Sequence, residues 1–213
     1  MRGLAAAALV VLGAACGGKK QQQPPQPAPL PARPFAGLAG QQVIVLPTHY
    51  LRPDTLGWSA RVVDQRATLA ELDSALERVL GDRGFRTSWV YPAALARSAK
   101  RNAGYVSDPY ALAAEGLRPL ARTPMSQIRD PLASQLRSLI AMTNARYAIF
   151  PVELRFEPAP NDMARPVLRV ALIDARASSV RWAGDVRGDA TSTLGPAALE
   201  SVATKFAALV SAP

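Results

Sequence analysis

Apolar positions along the chain fall into short continuous runs and spaced stripes, and the two periodicities alternate. Val43-Ile44-Val45-Leu46, closed by Pro47, reads as a buried strand. Residues 48–66 carry the breakers Pro53-Asp54 and Gly57 and read as loop. Leu69, Leu72, Leu76, Val79 and Leu80 then recur at helical spacing, with Thr68 and Glu71 placed as a capping box and Gly84 as a stop. Arg86 to Tyr91 reads as a second strand stopped by Pro92, with a short helix over 93–102. Residues 104–129 hold three prolines and two glycines and predict a long loop with helical fragments.

The second half is more regular. Asp130-Pro131 marks a helix start, followed by Leu132, Leu136, Leu139 and Ile140 on one face. Three alternating segments, 148–156, 167–174 and 180–186, predict an antiparallel meander. Gly195-Pro196 opens a last helix with Leu199, Val202, Phe206 and Leu209 on its apolar stripe. The order β-α-β-(α)-α-β-β-β-α predicts the α/β class: one domain over 38–213, a mixed sheet with helices packed on it.

Ahead of this domain lie two segments of different character. Arg2 precedes an apolar run from Leu4 to Leu12, then Gly13-Ala14-Ala15 and Cys16. The run is shorter than the roughly 20 residues a membrane-spanning helix needs, so 1–15 reads as a cleavable leader. Its end resembles the lipobox of bacterial lipoproteins, with Gly13 where leucine is usual. The resemblance implies lipidation at Cys16, an acyl anchor with palmitate-type chains, and a periplasm-facing location. Gly17 after the cysteine implies the outer membrane in a diderm organism. Ordinary signal cleavage at the same small residues is the alternative. Residues 16–37 run on as a Pro- and Gln-rich linker of the extended polyproline kind.

The domain's own pattern resembles a group of envelope domains that includes the TolB N-terminal domain, CsgG and LpoB. The resemblance rests on VIVLP, LAELDSALERVLGDRGF, ARYAIFPVELRF and VLRVALIDARASSVRWAGDVRG. Asp174 and Trp182 match an acid–tryptophan hairpin motif with one extra residue between them. It implies a domain that binds a partner protein or assembles into a complex. A second resemblance, carried by His49-Tyr50-Leu51, is to PqiC-like auxiliary lipoproteins of lipid transport. Neither carries catalytic residues onto this chain.

Charge and chemistry narrow the picture from the other side. The net charge of +9 falls to +8 without Arg2, and to +5 once Lys19, Lys20 and Arg33 are also set aside. The remaining basic residues are interspersed with acids, which argues against a nucleic-acid face. One cysteine and one histidine leave no thiolate or polyhistidine metal site to build. Asp54, Asp64 and Asp73 fit no calcium loop, and Asp73 with Glu77, one helical turn apart, reads as a solvated face. No nucleophile elbow, zinc-protease, P-loop or dinucleotide motif is present. Trp89 and Trp182 fall on strands and read as core, whereas Trp58 falls in a loop. The expectation is therefore a non-catalytic binding or assembly lipoprotein, with no cofactor and no metal. Its membrane contact is the lipid and its partner an envelope protein. Trp58, Tyr105, Asp108 and Tyr110 are the candidate contact residues. A lipid-transport auxiliary and an envelope hydrolase using His49 stand as the alternatives.

Overall fold

The first strand is interrupted, and the interruption organises one end of the molecule. In the computed structural model, which describes residues 34–120 and 126–210, β1 (Val43–Val45) pairs in parallel with the start of β4 (Tyr147–Pro158). β2 (Tyr50–Leu51) resumes the parallel pairing further along β4, opposite Glu153 and Leu154. Between them Leu46 N–H still donates to the Ile149 carbonyl at 2.9 Å, and Arg52 N–H takes up the Leu154 carbonyl at 2.8 Å. Pro47, Thr48 and His49 leave the ladder. Pro47 has no N–H to give, and a register shift in β4 between Pro151 and Glu153 faces the gap. The stretch read from sequence as loop thus contains a two-residue strand, too short to show alternation.

β3 (Trp89–Val90) flanks β1 on its other edge, also in parallel. β4, β5 (Ala164–Asp174) and β6 (Ser179–Arg187) form the expected antiparallel meander, and the sheet order is β3-β1-β4-β5-β6, with β2 on β4. The extra residue between Asp174 and Trp182 is taken up as a bulge. Leu172 stands opposite Trp182 and Ile173 opposite Val180, so Arg181 is the residue left over.

Helices cover both faces of the sheet, as its parallel part requires. On one face α1 (Gln65–Leu80) and α5 (Pro196–Val210) pack side by side over Val43, Ile149, Leu168 and Val170. On the other, α2 (Pro92–Arg101) and α4 (Leu132–Thr143) cover Ile44, Ala148, Phe150 and Ile173. A short α3 (Leu117–Leu120) lies between them in sequence. Beyond the reach of α4, that face of the meander carries charge instead. Arg155, Arg169 and Asp185 form a bidentate cluster at 2.7–3.3 Å, with Glu157 bonded to Arg155 and Arg187. Burial opposes the charge on Asp185, but the two guanidinium groups hold its carboxyl well below the usual range.

Helix ends differ from expectation in informative ways. α1 begins a turn earlier than Thr68: Asp64 caps it, accepting from Ala67 N–H at 2.9 Å. Asp130 still accepts from Ser134 N–H at 2.9 Å, but α4 opens at Leu132 with Pro131 at its N-cap, one residue later than expected. Gly84, at φ +92°, turns the chain out of a wide last turn over Gly81–Phe85. Phe35, within the stretch read as linker, is fully buried. Its ring meets Trp182 edge-on at 4.9 Å and Phe206 at 5.6 Å, and its N–H reaches the Leu209 carbonyl at 3.4 Å. Cys16 and the leader lie outside the described residues.

Candidate functional site

A cleft of about 660 Å³ opens where β1 breaks off, lined by Thr48 and His49, by Gln65, Arg66, Leu69, Ala70 and Asp73 of α1, and by Asp108, Tyr110 and Ala111. Its position follows from topology. The chain leaving β1 continues to a helix on one face of the sheet, and the chain leaving β3 to a helix on the other. Adjacent parallel strands whose connections part in this way leave a crevice at their carboxyl ends.

Asp73 is the most unusual residue in it. The sequence pattern suggested a solvated face, but Asp73 is only 6% exposed. Thr48, out of the strand ladder, has a backbone N–H with no sheet partner, and a buried N–H needs one. Asp73 Oδ1 supplies it, accepting from Thr48 N–H at 2.9 Å and from the Thr48 hydroxyl at 2.7 Å. Burial pushes the Asp73 carboxyl up to about 7, against the downward pull of those two bonds. Its other oxygen, Oδ2, is buried without a hydrogen-bond partner in the protein.

His49 is held on the far side of the same break. Its Nδ1 lies 2.9 Å from the Pro47 carbonyl, and its ring packs edge-on against Phe150 at 4.9 Å. A carbonyl can only accept, so Nδ1 carries the proton and Nε2 presents a lone pair. Nε2 too is buried and unpaired. Burial keeps the imidazole below its ordinary value, with the Pro47 bond and the Glu115 charge opposing. The ring is therefore neutral around pH 7. No hydrogen bond joins His49 to Asp73, and the Thr48 hydroxyl is committed to Asp73, so these three side chains form no hydrogen-bonded nucleophile–base relay.

The segment after α2 closes the cleft and is firmly seated. Leu112, Ala114 and Leu117 are buried, Ala113 N–H donates to Gln135 at 3.0 Å, and Arg118 pairs with buried Glu153 while lying 5.0 Å over the Tyr50 ring. Asp108 Oδ1 accepts from Tyr110 N–H at 3.0 Å and sets the turn that brings Tyr110 to the rim. Burial raises the Tyr110 hydroxyl, helped by the charges of Asp73 and Asp108 and opposed by Arg66.

Of the four candidate contact residues, Asp108 and Tyr110 come together here. Tyr105, 89% exposed, stands on the turn after α2 and is not among the lining residues. Trp58 is a core residue, packed on Phe156 and crossed by Arg61, so little of its ring is open to a ligand. Asp54 and Asp64 are spent on local backbone: Asp54 accepts from the N–H groups of Leu56, Trp58 and Ser59, and Asp64 caps α1. Sequence reading placed Asp73 on a solvated face and passed over Thr48. The available signal was that Asp73 lies four residues after Leu69 and three before Leu76, inside the apolar stripe. Among the described residues no group of three or more histidine, cysteine or carboxylate side chains is placed to hold a metal, and no helix is long and apolar enough to cross a membrane.

No protein-family model matches the chain, and no curated protein matches it. Several solved structures are similar. The PelC dodecamer from Paraburkholderia phytofirmans is 14% identical, over 84% of this chain and 91% of that one, with a TM-score of 0.37. The LpoB C-terminal domain from Escherichia coli is 14% identical over 71% and 83%, with a TM-score of 0.40. A lipoprotein from Neisseria meningitidis is 15% identical over 72% and 84%, with a TM-score of 0.33. The LpoB likeness expected from the sequence is thus present among solved structures. Similarity at this level concerns the outline of the fold, and no part of the functional reading rests on it.

Proposed function

We propose that this protein is a lipid-anchored cell-envelope lipoprotein whose α/β domain is a non-catalytic module for binding a partner protein. Cys16 carries the lipid, residues 17–33 span from the membrane, and the domain works facing the periplasm. The observation that supports the binding role most is the segment after α2. It is pinned to the framework by buried Leu112, Ala114 and Leu117, yet it leaves Tyr105 at 89% and Tyr110 at 41% exposure. Tyrosines held out on a rigid support suit protein contact, because a large amphipathic ring is presented at small entropic cost.

The test uses the full lipidated chain with photo-crosslinking side chains at positions 105 and 110. One envelope protein captured at either position, with the capture at position 105 lost on Tyr110→Ala, is the expected result. Absence of any specific adduct at both positions overturns the binding role. Cys16→Ser should abolish incorporation of labelled palmitate and release the chain from the membrane fraction. Retention of both in that variant overturns the anchor.

A further inference from the structure

Two unpaired acceptors belong to residues that line one cleft, each atom lying beneath its surface, and the rule that buried polar atoms are hydrogen-bonded makes them informative. Asp73 Oδ2 and His49 Nε2 are the atoms in question. The other polar atom of each side chain is already engaged, Oδ1 by Thr48 and Nδ1 by the Pro47 carbonyl. With Asp73 ionised, both free atoms accept and neither donates. An ammonium group has three donors and no acceptor, and its charge offsets that of a buried carboxylate. Leu69, Ala70 and Ala111 supply the apolar part of a lining that also holds Gln65, Arg66, Asp108 and Tyr110. Arg66 lines the same cleft, seven residues before Asp73 on α1, about 10.5 Å along the helix axis.

We propose that this cleft binds a primary ammonium on an aliphatic stem, the head donating to Asp73 Oδ2 and His49 Nε2 and the stem lying against Leu69, Ala70 and Ala111. Long cationic side chains lay their methylenes on apolar surface in this way. The inference rests on the partner reading in one respect: it assigns the ammonium to a lysine side chain of the partner. A free alkyl amine offers the same chemistry. Binding requires ionised Asp73 and neutral His49; Tyr110 at the rim feels the charges of Asp73, Asp108, Arg66 and Glu77, and His49 that of Glu115.

The chain has a single histidine, so one set of imidazole signals in the NMR spectrum of the full chain in detergent reports on His49. Titration with n-butylammonium chloride should shift the Nε2 signal saturably. Tetramethylammonium, which has the charge but no N–H, should not. No saturable shift with butylammonium overturns the proposal, as does an equal response to tetramethylammonium or to butanol. Asp73→Asn should weaken binding at least tenfold, the loss of about one charge-assisted hydrogen bond. The native chain gives a second reading that needs no variant. Affinity should rise from about pH 6 to about pH 8 as Asp73 ionises, and a flat profile overturns the proposal. Tighter binding of Nα-acetyl-lysine methylamide than of butylammonium supports the lysine source, and equal binding overturns that assignment in favour of free amines. Ammonium binding without crosslinked partner counts against the partner reading alone, and a crosslinked partner without ammonium binding against this one alone.

Discussion

Phe35→Ala is the substitution with the most to say about where the domain begins. Phe35 is fully buried and wedged between Trp182 and Phe206, with ring centroids at 4.9 and 5.6 Å. Truncating a buried phenylalanine to alanine costs about 3–5 kcal/mol, from lost transfer energy and the cavity left behind. Two aromatic contacts disappear with it, each contributing about 0.5–1.5 kcal/mol beyond area burial. A loss near 4 kcal/mol is the expectation, a large share of the roughly 5–15 kcal/mol that holds a domain together. Urea unfolding followed by tryptophan fluorescence measures it. With a slope of roughly 2 kcal/mol per molar urea, the midpoint should fall by about 2 M with the slope unchanged. Emission from Trp182 should shift to longer wavelength as water reaches its edge. A midpoint within about 0.3 M of the native one would refute the packing of Phe35 and move the start of the folded unit past Phe35, since that shift corresponds to under about 0.6 kcal/mol.

Three further outcomes follow from charge and close approach. Asp73, raised to about 7 in the folded state, binds its proton more tightly there than when unfolded. The stability that Asp73 itself contributes should therefore be greatest below about pH 4, decline as pH rises to about 7 and level off above, so the difference between the native chain and Asp73→Asn should follow that curve. Asp185→Asn leaves Arg155 and Arg169, both largely buried, without their shared carboxylate, and should cost about 2 kcal/mol at neutral pH. Because the Asp185 carboxyl is held low, the difference from the native chain should shrink as pH falls below about 4. Gly188→Ala sets a methyl 2.5 Å from Ser201 Oγ, 2.8 Å from Val202 Cγ2 and 2.9 Å from Pro166 Cγ, so these side chains must shift; a loss of about 1–3 kcal/mol in thermal or urea unfolding is expected.

The meander, α1, α4 and α5 were legible because each is long enough for its period to repeat. What escaped is local and short. β2 is two residues whose pairing depends on β4, a hundred positions away, and no window over 48–66 contains that information. The start of α1 was misplaced because Gln65, Arg66 and Ala67 carry no apolar signal, and Asp64 competed with a plausible capping box at Thr68. Asp73 was misread because a carboxylate normally marks the solvated side of a helix. Its burial is caused by a backbone N–H set free at Thr48, a tertiary cause invisible along α1 alone. Trp58 was misread the opposite way: it sits in a loop, but that loop folds inward over Phe156. Tyr110 and Asp108 were found as individual residues, yet the cleft joining them to Asp73 and His49 needed the topology.

The contact between Phe35 and Leu209 also bears on when the domain can form. Strand β1 follows Phe35 by only a few residues, whereas α5 is the last element of the described domain, so the core over Phe35 stays open until residues 196–210 arrive. The parallel pairing of β1 with β4 adds a second long closure, and such distant contacts slow folding. The periplasm-facing location proposed above would have such a chain exported, and the delay would suit that: its first segment gains no settled core before its last has been made.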